Sequence, residues 1–205
     1  SYLTNLAKKL KSEIVEHKNF IGGRYSVLSE VGMLPAELMG LNEKKFKQFN
    51  NLIKNKKFVD SLVLNVSNIL DLYKKGRFAS IILNYDECSD NFFKWYQQLI
   101  AESLGKKSKG IFPIISTMPK DNHSLMQLYL DGPQKAFFTF FYVFENKALK
   151  INNKSILSSH NYLKNKTIDK IIYSQKKATE RIFKEKKMPF RSFELLNRNE
   201  QTLGE

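Results

Sequence analysis

Four short apolar runs rich in β-branched and aromatic residues limit what this chain can fold into: Phe78–Tyr85, Gly110–Ile115, Lys135–Phe144 and Pro189–Leu196. The first three read as strands buried in a parallel sheet, since they are short for helices and lack a polar face, and the fourth reads as another strand. Segments of helical spacing and polar loops lie between them. Strands alternating with helices in this way predict a three-layer α/β/α sandwich around a mainly parallel sheet, with ligand contacts gathered in loops at strand ends.

The remaining segments fit packing helices. Leu3, Leu6, Leu10 and Ile14 recur at steps of three and four, which predicts a helix over 2–14. Ser29 is placed to cap a helix that runs to Met39 and is closed by Gly40. Phe46, Phe49, Leu52 and Ile53 share one side of the lysine-rich stretch 42–57, and Val59–Tyr73 is a more apolar helical run. Helices are also expected over 161–172 and 174–187, and another begins at Glu200 and runs to Glu205. No repeat or low-complexity linker interrupts the chain. Its 205 residues, 42% hydrophobic, suffice for one substantial core.

The formal net charge of +14 raises a nucleic-acid partner. Only five of the 34 basic residues are arginine, however, and the lysines are spread over the whole length among 18 asparagines. A dedicated binder would cluster arginine, so no nucleic-acid partner is expected. A diffuse positive field favours a small anionic substrate instead. No run approaches the roughly 18 apolar residues of a membrane span, and Ser1–Lys9 lacks the features of a secretory leader, so the expected location is the cytosol, without membrane association. Cys88 has no partner for an internal disulfide and reads as an incidental thiol.

Three pieces carry chemistry. Phe92, Phe93, Tyr96, Leu99 and Ile100 recur at helical spacing, and the same helix carries Gln98 one turn before Glu102, just ahead of Gly105. A carboxylate held there can act as a base, although on position alone it equally fits a solvated glutamate. The polar loop Ser116–Ser124 delivers His123 to a helix start. Gly22 and Gly23 precede Arg24, which suits a turn that brings backbone and guanidinium to one anion, and equally suits a flexible surface turn.

Together, Ile21-Gly-Gly-Arg-Tyr-Ser-Val-Leu-Ser-Glu-Val-Gly32, Glu102-Ser-Leu-Gly-Lys106 and Pro119-Lys-Asp-Asn-His123 resemble, in order, the signatures of the glucose-6-phosphate isomerase family. With their flanks they span most of 14–145. The resemblance implies an aldose–ketose isomerase that interconverts glucose 6-phosphate and fructose 6-phosphate, a step shared by glycolysis and gluconeogenesis. It implies Glu102 as the base that moves a proton between C2 and C1 through a cis-enediol(ate), and Arg24 as the cation that stabilises the enediolate. Gly23 and Gln98 become substrate contacts. His123 becomes the ring-opening group, reaching the site of a neighbouring subunit in a homodimer. His17 and His160 match no functional position of the family.

No metal and no nucleotide cofactor are implied, since no ligand-spaced cluster stands near Glu102 or His123 and Gly22-Gly23 is not a phosphate-cradling motif. The family's earlier domain, with its Ser/Thr-rich phosphate loops, and its later catalytic lysine have no counterpart here. Residues 1–205 are therefore expected to form the second sugar-isomerase domain, cut at both sides. The alternative is a non-catalytic sugar-phosphate-binding regulatory domain of the same fold. Amino-sugar-forming enzymes with related domains lack the Pro-Lys-Asp-Asn-His block.

Overall fold

The computed structural model describes residues 1–144 and 149–204. Contacts divide the chain into two compact units, Ser1–Val59 with Asn199–Glu205, and Asp60–Arg198. The first division falls inside a continuous helix, so no change of composition marks it in the sequence.

In the first unit, α1 covers Tyr2–Lys9, with Ser1 Oγ accepting from the Thr4 amide. It ends short of the predicted Ile14 because Lys11 takes a left-handed conformation (φ 52°) and turns the chain. Helix α2, Glu30–Leu38, starts after Ser29, although the Ser29 hydroxyl forms no cap and donates instead to the Ser26 carbonyl, and Gly40 follows the helix at φ 79°. The segment that follows forms two short helices, α3 (Glu43–Phe46) and α4 (Phe49–Leu52). The final helix, Glu200–Gly204, packs on α3, and a Cβ at Gly204 would stand 2.0 Å from the Phe46 carbonyl oxygen. Glu205, the end of the predicted segment, lies outside the described residues.

The second unit holds a sheet of four parallel strands in the order β2-β1-β3-β4: β1 Ala79–Asn84, β2 Phe112–Thr117, β3 Ala136–Val143 and β4 Phe190–Leu195. The apolar runs are these strands, within two residues of the expected bounds. Its helices are α5 (Lys56–Lys74, most of it in this unit), α6 (Asp90–Leu104), α7 (Asp121–Ser124), α8 (Met126–Asp131) and α9 (Ile168–Glu185). Thr167 caps α9, and Tyr173 continues it where two helices were expected.

Alternation along the central strands builds two cores. Ile81, Leu83, Phe138, Phe140 and Tyr142 face Tyr129 of α8 and Phe183 of α9, while Ile82, Phe141 and Val143 face Phe93 of α6. Helix α5 joins the α6 side, where Asn65 Oδ1 accepts from Arg191 at 2.9 Å. The three-layer arrangement follows. Phe183 is fully buried and meets the Phe138 and Phe140 rings edge-on, with centroids 4.8 and 5.2 Å away. Burying such a ring contributes about 1.5–3 kcal/mol before its pairings are counted.

Beside this core, Lys176 of α9 is 0% exposed. It donates to Glu180 at 2.6 Å, Glu194 at 2.7 Å and Ser192 at 2.8 Å, tying α9 to the edge strand β4. Burial alone would raise the Glu194 carboxyl, but bonds from Lys176 and Lys177 outweigh that and hold it at about 2. The turn between α6 and β2 is tighter. Lys107 (φ 52°) and Ser108 (φ 59°) are both left-handed, with Lys106 and Lys109 paired across them, a geometry for which Asn-Gly is the favoured sequence.

Two stability outcomes are expected. Lys176→Ala leaves two carboxylates to Lys177 alone and should cost about 2–4 kcal/mol in denaturant unfolding at neutral pH. Because the Glu194 carboxyl is depressed by folding, its contribution is complete above the ordinary value of 4.5 and fades as pH falls toward 2; that acid-dependent loss should shrink in the variant. Ser108→Gly relieves a left-handed non-glycine residue and should stabilise by about 1 kcal/mol by the same measurement.

Candidate active site

In the first unit, Gly23–Tyr25 form a single 3-10 turn entered from Gly22 at φ −68° and ψ 152°. The Tyr25 amide donates to the Gly22 carbonyl at 2.8 Å, and Ser26 Oγ donates to the Gly23 carbonyl at 2.8 Å. Ser29 Oγ continues the ladder to the Ser26 carbonyl at 2.7 Å. A Cβ at Gly23 would meet nothing within 4 Å, so the second glycine leaves open space beside the backbone next to Arg24. Gly32, the last residue of the motif, is required for a different reason: a Cβ there would stand 2.0 Å from the Val27 carbonyl oxygen, where the chain folds back on α2.

In the second unit, α6 is fixed at both ends of the sheet. Asn84, the last residue of β1, donates from Nδ2 to Asp90 Oδ1 at 2.8 Å and to the Asp86 carbonyl at 2.9 Å, which anchors the start of the helix. Its middle is held by Phe93 against Ile82, Phe141 and Val143. Further along, Gln97 Nε2 donates to the carbonyl of Pro113 near the start of β2, at 3.0 Å. The helix therefore runs the full depth of the sheet, against the strand direction.

Glu102 lies five residues beyond Gln97, exposed at the edge where the strands begin. Gln98 Nε2 donates to Glu102 Oε1 at 2.9 Å, so the structure brings together the base and the contact residue expected from the sequence. The Gly105 amide closes the helix on the Ala101 carbonyl, and a Cβ at Gly105 would approach that oxygen to 2.5 Å. A cavity of about 680 Å³ borders this helix end through Ala101 and Gly105, with Tyr73, Phe78 and Phe112 on its walls. A larger one, about 860 Å³, lies against α9 and touches none of the residues singled out above.

His123 stands at the opposite edge. It follows β2 after the Met118–Pro119 peptide, which is cis, and sits exposed in α7. Asp121 Oδ2 accepts from the Thr117 amide at 2.9 Å and fixes the start of this short helix to the end of β2. From strand and helix rise, His123 and Glu102 of one chain are on the order of 20 Å apart. Within this unit the two are not brought together.

Sequence reasoning overlooked Gln97, which stands next to Gln98 and whose position facing β2 becomes visible only in three dimensions. It also overlooked the network that closes the carboxyl ends of β1 and β4. There Asp86, 7% exposed, accepts from Arg198 at 2.6 Å and from Ser89 Oγ. The only available signal was the spacing Asp86-x-x-Ser89 after a strand, which reads as an ordinary turn. Among the described residues, no group of three or more His, Cys, Asp or Glu is placed to hold a metal ion, and no helix is long and apolar enough to cross a membrane.

Comparison with known proteins identifies the family. The sequence model of the family described as Phosphoglucose isomerase matches residues 8–138. The glucose-6-phosphate isomerase of Methanocaldococcus jannaschii is 32% identical over 204 residues, covering 97% of this chain and 50% of that protein. Among solved structures, a hypothetical protein from Thermus thermophilus superposes with a TM-score of 0.84 at 23% identity, over 98% of this chain and 51% of that one. A glucose-6-phosphate isomerase from Chlamydia trachomatis gives 0.66 at 15% identity, over 96% and 42%; at these identities both show likeness of fold. The chain thus spans about half the length of the M. jannaschii relative. On the match of the family model and that relative, the chain belongs to the phosphoglucose isomerase family.

Proposed function

We propose that this chain supplies the second sugar-isomerase half of an enzyme that interconverts glucose 6-phosphate and fructose 6-phosphate, with Glu102 as the proton-transferring base. The observation that carries this reading is the bond from Gln98 to Glu102 at the open edge of the sheet. It holds one carboxylate oxygen and so orients the group toward a substrate carbon. A single base suffices, because the proton leaves C2 and returns to the adjacent C1 on the same face of a cis-enediol(ate). The transfer is a proton shift within one molecule, so this step needs no redox cofactor.

As the proton leaves, charge develops on the enediolate oxygens. Arg24 is assigned to stabilise it, with the space beside Gly23 admitting the sugar phosphate close to the backbone. Ring opening requires a group that can give and take a proton near neutral pH, the role assigned to His123. Because His123 and Glu102 lie at opposite edges of their unit, His123 serves the Glu102 of a neighbouring subunit in a homodimer. The same separation argues against a site completed within one chain.

In the complete gene product, Glu102→Gln retains shape and hydrogen-bonding reach but cannot accept a proton. Exchange of the substrate's C2 hydrogen with deuterated water should fall at least about 1,000-fold, while affinity for a non-reacting sugar-phosphate analogue stays within about threefold. Exchange near the wild-type rate would remove Glu102 from the mechanism.

A further inference from the structure

His17 belongs to no motif, yet its ring stands between two acceptors. Nδ1 lies 3.4 Å from Glu30 Oε2, and Nε2 lies 3.1 Å from the carbonyl oxygen of Ile21. A neutral imidazole has one N–H and can donate to only one of them; the doubly protonated ring donates to both. The two acceptors are not equivalent parts of the fold. Glu30 opens α2, the helix that leaves the Gly22-Gly23-Arg24 turn, and the Ile21 carbonyl belongs to the peptide that enters it.

The carbonyls of the two glycines are also tied, Gly22 to the Tyr25 amide and Gly23 to Ser26 Oγ. The Ile21 carbonyl takes its bond from outside the turn and its serine ladder, from the His17 ring. Two adjacent glycines have the widest conformational choice of any dipeptide, so the direction in which Arg24 leaves the turn depends on such ties. Glu30 faces the ring, and Lys18, next to His17 in the chain, acts on the same carboxyl. The Glu30 carboxyl is held below its usual range, first by a hydrogen bond to its own backbone amide and then by His17.

We propose that His17 is a positioning residue for Arg24: its ring, set between the Ile21 carbonyl and Glu30, ties the two together, fixes the backbone of Gly22 and Gly23, and so sets the aim of the guanidinium. This rests on the role given to Arg24 above. His17 does not touch substrate; it acts through the turn.

The test is a double-mutant cycle in the complete gene product. His17→Ala should lower kcat about 10-fold with little change in KM, and should weaken a hydroxamate analogue of the enediolate by the same factor. In an Arg24→Ala background, itself slower by about 100- to 1,000-fold, adding His17→Ala should cost nothing further. His17→Gln, which retains one donor, should recover part of the loss. A His17→Ala effect that persists undiminished without Arg24, or that falls on KM alone, would overturn the proposal. Wild-type kcat in Arg24→Ala would overturn the role of Arg24 itself, a separate failure. On the 205-residue chain, where no activity is needed, hydrogen exchange of the Tyr25 and Ser26 amides, which donate to the Gly22 and Gly23 carbonyls, should accelerate about 10-fold in His17→Ala; unchanged exchange would also overturn the proposal.

Discussion

Parallel strands impose the constraint from which the rest of this site follows. Two neighbouring parallel strands cannot be joined by a tight turn; the chain must cross back over the sheet, here through the 15 residues of α6 between β1 and β2. Whatever stands at the end of that crossover lies where the strands begin, and whatever follows the next strand lies where the strands end. Glu102 and His123 are only 21 positions apart in sequence (102 to 123), yet the sheet separates them by its depth. Asn84 and Gln97 set the helix against the two edges, so the position of the carboxylate is determined by bonds at both ends of α6. The interaction that holds the carboxylate is local, from Gln98 one turn earlier, but the place at which it is held is a property of the topology.

Much of the second unit was legible in the sequence because burial on both faces leaves a plain trace. β3, seven of whose eight residues are buried, is a run of aromatics that no amphipathic helix would carry. The edge strand β2 was less clear. Its expected start at Gly110 is taken up by the end of the turn from α6, where Gly110 itself is at φ 150°, and the strand begins two residues later. Helix ends were set by single backbone conformations that spacing does not report, Lys11 after α1 being one. The division into two units left no trace because it crosses α5, whose periodicity continues through it.

The candidate site was legible to a different degree. Glu102, Gln98, Arg24 and His123 were each picked out by type and context, but their ties were not. Nothing in the spacing of His17 shows that its ring reaches forward to Glu30 and to the Ile21 carbonyl, since both distances depend on how the segment 17–30 folds on itself. Lys176 is similar: in sequence it is one lysine among many on a basic helix, and only the approach of β4 makes it a buried cation between two carboxylates. Charged residues of this chain are thus poor guides to function by number and informative by partner.

The central claim is that one active site takes Glu102 from one chain and His123 from another. It is tested most directly by co-expressing Glu102→Gln and His123→Ala versions of the complete gene product under two different affinity tags and isolating the hybrid dimer. One of its two sites then holds both wild-type residues and the other holds neither. The account predicts about half of the wild-type turnover per dimer, although each parent homodimer is nearly inactive. A hybrid no more active than its parents would contradict it and would return both residues to a single chain's site, or remove one of them from the chemistry.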